Sequence, residues 1–171
     1  MTSPREAREA IRRSIPALDI ERVSVAHAAG RALRQSVLAE RDQPPFDRVM
    51  MDGIAIAFDD FEDGIRAFPI RSTQAAGDAQ QTLERRTCIE IMTGASLPDG
   101  ADCIVPVERI GITGGVAAVE EGYEARRGQF IHGRGSDHER GTELLRQGRR
   151  ISAMDVAVLL SCGLTDVDVS R

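Results

Sequence analysis

PPFDRVMMDGIAIA, Pro44–Ala57, is the stretch on which the fold reading turns. Two prolines brace a turn that carries Asp47 and Asp52, and Gly53 supplies the freedom for positive φ or for close backbone approach. From Asp52 the hydrophobic period becomes two, with Ile54, Ile56 and Phe58 alternating with Ala55 and Ala57. That change of period marks the entry into a β-rich region.

Further strands are predicted at Phe68–Ser72, Thr87–Met92, Asp102–Val107 and Val116–Glu120, each punctuated by Gly or acidic residues. Residues 46–135 therefore read as a β-rich, barrel-like domain. On its N-terminal side Ser3, Pro4 and Glu6 spell a helix start, with Ala7, Ala10 and Ile11 as the apolar stripe. A short strand, a helical turn around Ala26–Ala29 ended by Gly30, and a linking strand through Val37 follow. On the C-terminal side Ser152 and Asp155 cap a second helix, which Gly163 ends, and Val167 and Val169 alternate as a last strand. The fold class is α+β: both ends, 1–45 and 136–171, form one discontinuous mixed domain, and 46–135 is inserted in it.

Composition bounds the function. A hydrophobic fraction of 42% supports a real core, while 4% aromatics and no Trp mean that Val, Ile, Leu and Ala build it. The net charge of -5, with arginines interspersed among acids, argues against a nucleic-acid partner. All 22 basic residues are Arg, a bias read as compositional. Three cysteines without CxxC spacing or His pairs support neither a disulfide framework nor a zinc site; Cys88, Cys103 and Cys162 read as buried thiols. No run approaches a membrane span, so no membrane partner is expected and the expected location is the cytoplasm.

Three clusters could carry chemistry. Asp47 and Asp52 flank a turn, and either they serve only its hydrogen bonds or Asp52 joins other oxygen ligands on Mg²⁺. IMTGASLPDG, Ile91–Gly100, offers the hydroxyls of Thr93 and Ser96 and the backbone N–H groups around Gly94 to an oxyanion, or is a plain strand-to-loop turn. GRGSDHERG, Gly133–Gly141, surrounds Asp137 with glycines and basic groups; His132 and His138 lack a third ligand at metal spacing. Glu108, after the VPV strand, is one more carboxylate.

Taken in order, PPFDRVMMDGIA, AAG at Ala75–Gly77, CIEIMTGASLPDGAD, IVPVE, RGSD with GTELL, and LLSCGLTDVDV resemble the N-terminal region of the molybdopterin molybdenumtransferases, the MoeA and gephyrin C-terminal domain family. The resemblance implies an elongated dimerisation domain made from both chain ends, an inserted β-rich domain, and a homodimer. It implies insertion of molybdate into adenylated molybdopterin with Mg²⁺ and release of AMP, in a cleft completed by a third domain from the full-length chain or a separate protein. Asp52, Thr93 and Asp137 match positions that line that cleft: Asp52 and Asp137 as Mg²⁺ or water-shell carboxylates, Thr93 with Gly94 as an anion contact, and Gly53 and Ser96 beside them.

The chain departs from the family pattern at Val49 and Met50, where Ser-Ala is usual, at Ile54 for an aromatic, at Glu90 for a base and at Ser136 for an acid. His132 and Gly133 stand in place of arginines. A carboxylate at 90 beside an anion site would repel a polyanion. The resemblance thus leaves two expectations open: an enzyme part contributing half of a composite active site, or a non-catalytic scaffold or dimerisation module.

Overall fold

The computed structural model describes residues 2–16 and 18–171. In chain order they form α1 (Pro4–Ser14), β1 (Ile20–Ser24), β2 (Val37–Leu38), β3 (Arg48–Val49), β4 (Gly53–Ile56), α2 (Phe58–Glu62), β5 (Ala67–Gln74) and β6 (Cys88–Ile91). Then come β7 (Cys103–Pro106), β8 (Ile110–Thr113), β9 (Val116–Val119), β10 (Ile131–His132), β11 (Glu143–Leu145), α3 (Ala153–Ser161) and β12 (Asp166–Ser170). This mixed α and β chain divides into two compact units, one from its two ends, Met1–Glu40 with Gly141–Arg171, and one from Arg41–Arg140.

In the end-derived unit α1 starts as its sequence is written. Ser3 Oγ accepts from the Glu6 N–H at 3.2 Å, and the Glu6 carboxylate accepts from the Ser3 N–H at 2.7 Å. No residue of α1 is buried. β1 and β12 pair antiparallel, with Ile20 opposite Ser170, and β2 pairs with β11. Backbone hydrogen bonds therefore join the two chain ends. The alternation of β12 turns Val167 and Val169 inward, where they pack with Val25, Leu33, Val37, Leu145, Ile151 and Leu159.

The cap of α3 is stronger than a capping box alone. Asp155 accepts from the Ser152 N–H at 2.8 Å and from Arg149, whose Nε and Nη2 both lie 3.0 Å from the carboxylate. The Arg149 guanidinium, helped by the Ser152 backbone N–H, holds the buried Asp155 carboxyl down at about 2. Arg127 similarly bridges Asp59 and Asp102.

In the Arg41–Arg140 unit six strands lie in the order β7-β4-β6-β5-β9-β8. β5 serves two neighbours: Ala67–Pro69 pair with β9, and Ile70–Gln74 pair in parallel with β6, so the sheet curls through β5. The period of two in β4 is present, yet neither face is polar. Ile54 and Ile56 pack with Phe61, Phe68 and Val105, while Ala55 and Ala57 pack on the other side with Ile89, Ile91 and Ile104. The alternation sorts large from small residues rather than inside from outside.

One local expectation is corrected. The alternation stops at Ile56, and Phe58 opens α2 instead of extending the strand, because Asp102 Oδ1 accepts the Phe58 N–H at 2.6 Å and caps the helix from a distant segment. A strand the sequence reading does not name, β8, forms a hairpin with β9. Its two-residue connection is Gly114-Gly115, both at positive φ, a sequence that favours tight hairpins.

Candidate functional site

Three segments far apart in sequence meet within the Arg41–Arg140 unit. The Val49 N–H donates to Ala95 O at 2.9 Å, the Gly94 N–H returns to Val49 O at 2.9 Å, and the Leu97 N–H reaches Asp47 O at 2.8 Å. β3 pairs with β10, setting Arg48 opposite His132. The Gly135 and Asp137 N–H groups donate to Pro44 O and Gln43 O, each at 2.9 Å. Asp47 Oδ1 accepts the Arg134 N–H at 2.7 Å, so Asp47 ties the same loops together. The PPFD turn, the MTGAS turn and the HGRGSD loop are one hydrogen-bonded assembly.

Asp52 and Thr93 lie exposed at its surface and touch. Thr93 donates both its hydroxyl and its backbone N–H to Asp52 Oδ1, each at 2.6 Å. The hydroxyl first and the N–H second hold the Asp52 carboxyl below the usual aspartate range. Asp52 Oδ2 accepts no hydrogen bond among the described residues.

A cavity of about 280 Å³ opens beside this pair, lined by Arg48, Val49, Met50, Thr93 and Gly94. Arg48 Nη2 lies 3.2 Å from His132 Nδ1, and His132 Nε2 lies 2.9 Å from Asp137 Oδ1. Asp52 therefore joins the cavity through Thr93, and Asp137 joins it through His132 and Arg48. Arg48 and His132 carry no local sequence signal for this, because the partners are 84 positions apart.

The remaining expected site residues fall differently. Gly53 is buried at the start of β4, where a Cβ would lie 2.0 Å from Val105 O. It lets backbone approach backbone, not a ligand. The Thr93, Gly94 and Ala95 N–H groups are consumed by Asp52, Val49 and Met92, so this turn holds no free nest of donors for an oxyanion. The Ser96 hydroxyl accepts from Gln74 Nε2 at 3.1 Å and its carbonyl from the same nitrogen at 2.6 Å. Gln74, fully buried and also accepting the Gln81 N–H at 2.9 Å, is the clamp of this turn. It precedes the Ala75–Gly77 tripeptide, and only its neighbours drew notice in the sequence. Glu90 bonds Thr73 at 2.9 Å across the sheet, and Glu108 lies exposed in the 3-10 turn Val107–Arg109.

Cys88 and Cys103 are buried, as expected, and burial pushes both thiols up to about 12; Cys162 is only half-buried. Among the described residues no cluster of three or more His, Cys, Asp or Glu groups could hold a metal alone. Asp52 and Asp137 each keep one carboxylate oxygen without a donor among the described residues. No helix among the described residues is long and apolar enough to cross a membrane.

Comparison with known proteins gives the family. A molybdopterin molybdenumtransferase of Synechocystis is 36% identical over 143 residues, covering 83% of this chain and 37% of that protein. Molybdopterin molybdenumtransferase 2 of Mycobacterium tuberculosis is 34% identical over 152 residues, covering 86% of this chain and 37% of its own length. The crystal structure of a molybdopterin biosynthesis MoeA protein from Pyrococcus horikoshii superposes with a TM-score of 0.81 at 30% identity, over 97% of this chain and 44% of that one. The chain thus spans little more than a third of the length of the curated relatives it matches. Residues 2–163 match the model of the MoeA N-terminal region, domains I and II, and the chain belongs to that family.

Proposed function

We propose that this chain is the N-terminal part of a molybdopterin molybdenumtransferase, acting in molybdenum cofactor biosynthesis, and that it contributes half of a composite active site. The observation that carries this reading is the convergence of Asp52, Thr93 and Asp137 on one assembly around the Arg48 cavity. The substrates are molybdate and adenylated molybdopterin, and the phosphate side of the adenylate faces this assembly. Asp52 Oδ2 and Asp137 would hold Mg²⁺ together with substrate phosphates; the ion supplies charge neutralisation at the phosphoryl oxygens. Thr93 fixes the orientation of Asp52 in that role, since its two donors lock one carboxylate oxygen and leave the other without a donor among the described residues. Insertion of molybdate with release of AMP takes place once a third domain, from the full-length chain or a separate protein, closes the cleft. The end-derived unit serves homodimerisation, and the location is cytoplasmic.

A second reading, a scaffold without chemistry, has two observations in its favour. The Met92, Thr93, Gly94 and Ala95 N–H groups of the MTGAS turn are spoken for, and Met50, 51% exposed, places an apolar side chain at the cavity where the family has a small residue.

Mixing this chain with the complementary C-terminal portion of the Synechocystis relative separates the two. The enzyme reading expects Mg²⁺-dependent release of AMP from adenylated molybdopterin in the presence of molybdate, lost in Asp52→Ala. A folded mixture that forms a complex but releases no AMP, while the intact relative does, supports the scaffold.

A further inference from the structure

Arg48 is the cation of the cavity, and its surroundings leave it available. It lines the wall beside Thr93 and Gly94, it is half-buried, and no carboxylate lies within ion-pair distance of it among the described residues. Its one side-chain hydrogen bond is to His132 Nδ1 at 3.2 Å. An arginine can only donate, so Nδ1 is the acceptor and the ring proton sits on Nε2, which donates to Asp137 Oδ1 at 2.9 Å. The ring thus holds one fork of the guanidinium, and β3 pairing with β10 sets the two residues opposite each other. The donors on the other edge of the guanidinium have no protein partner among the described residues.

With the Thr93, Gly94 and Ala95 N–H groups consumed, Arg48 is the one cationic residue among the described residues that line the cavity. A guanidinium fork matches two oxygens of a tetrahedral oxyanion. The space, about 280 Å³ and open to solvent, has room for a tetrahedral oxyanion.

We infer that Arg48 binds the phosphoryl oxyanion of the ligand in this cavity and that His132, anchored by Asp137, is its positioning residue. The inference rests on the transferase reading for its ligand class but not for its test, which reads binding alone. The same chemistry has two sources, a phosphate ester and molybdate itself, and the two arms of the experiment distinguish them.

Calorimetric titration of the 171-residue chain with AMP, and separately with molybdate, both in Mg²⁺ buffer, is the test. Saturable binding of AMP is expected, with molybdate weaker. Arg48→Gln should lose about tenfold or more in AMP affinity, the size of one charge-assisted hydrogen bond. His132→Ala should lose a similar factor, whereas His132→Gln, whose amide can accept from Arg48 and donate to Asp137, should stay within about threefold of the parent. Unchanged melting of all three variants separates this from misfolding, and nitrogen NMR of the imidazole should place the proton on Nε2. Molybdate binding that outcompetes AMP with the same Arg48 dependence would move the source to molybdate and overturn the phosphate-ester assignment. Absence of binding to either anion, or Arg48→Gln binding as the parent does, overturns the inference. AMP release failing in the reconstituted mixture while Arg48-dependent binding persists would reject the transferase reading and leave this one standing.

Discussion

Thr93 spends two donors on one oxygen of Asp52, its hydroxyl and its own backbone N–H, both at 2.6 Å. A single residue thereby fixes the aim of the carboxylate and ties the MTGAS turn to the MDG turn, 41 positions away.

Replacing Thr93 by Val removes the first of those donors and keeps the second. The Asp52 carboxyl is then expected to rise toward the ordinary aspartate range. Because the folded state depresses this group, its contribution to stability is present above the unfolded value and fades as pH falls through the folded one. Carboxyl-carbon NMR titration of the parent and Thr93→Val reads the change directly; an unmoved Asp52 would show that the hydroxyl does not govern it.

Gln74 is fully buried and bonds the Ser96 carbonyl, the Ser96 hydroxyl and the Gln81 N–H. Gln74→Leu keeps the bulk and strands those groups, which should cost about 2–3 kcal/mol. Urea denaturation measures the loss, and faster amide exchange across residues 92–97 would localise it.

Gly53 tolerates no side chain. A Cβ there would stand 2.0 Å from Val105 O and 2.9 Å from Pro106 Cα, both backbone atoms of the adjacent strand, so β4 and β7 would have to separate. Gly53→Ala is expected to destabilise the Arg41–Arg140 unit by about 3 kcal/mol or more. A melting curve matching the parent would refute the close approach.

Asp155 sits at about 2 under the hold of Arg149 and the Ser152 N–H. The sign is that of a depressed carboxyl: its stabilisation is complete above about pH 4 and is lost as pH falls toward 2. Asp155→Ala should cost about 2 kcal/mol at pH 7, as a lost cap with a lost ion pair, and the gap to the parent should close in acid. Denaturation series at pH 7 and pH 2.5 would show the convergence.

The thiols give a chemical check on burial. With Cys88 and Cys103 at about 12 and fully buried, only Cys162 of the three should react with a thiol reagent in the native state. Rapid labelling of two or three thiols before unfolding would contradict the packing around β6 and β7.

The local features can be read along the chain, because their causes are local. Ser3 with Glu6 and Ser152 with Asp155 carry their own caps, the period of two from Asp52 forces extended backbone, and the Val167 and Val169 alternation fixes which face of the last strand turns inward. The ordered motifs also fixed the family, because their series spans nearly the whole chain. What only the tertiary structure decided are contacts between groups far apart in the chain. Phe58 starts a helix because Asp102 caps it, Gly53 is required by Val105, the Thr93, Gly94 and Ala95 donors are spent on Asp52, Val49 and Met92, and Arg48 meets His132 across β3 and β10. Hydrogen-bond partners and close approach act through space and leave no period in the sequence, so the residues that furnish the cavity became visible only when the three loops were brought together.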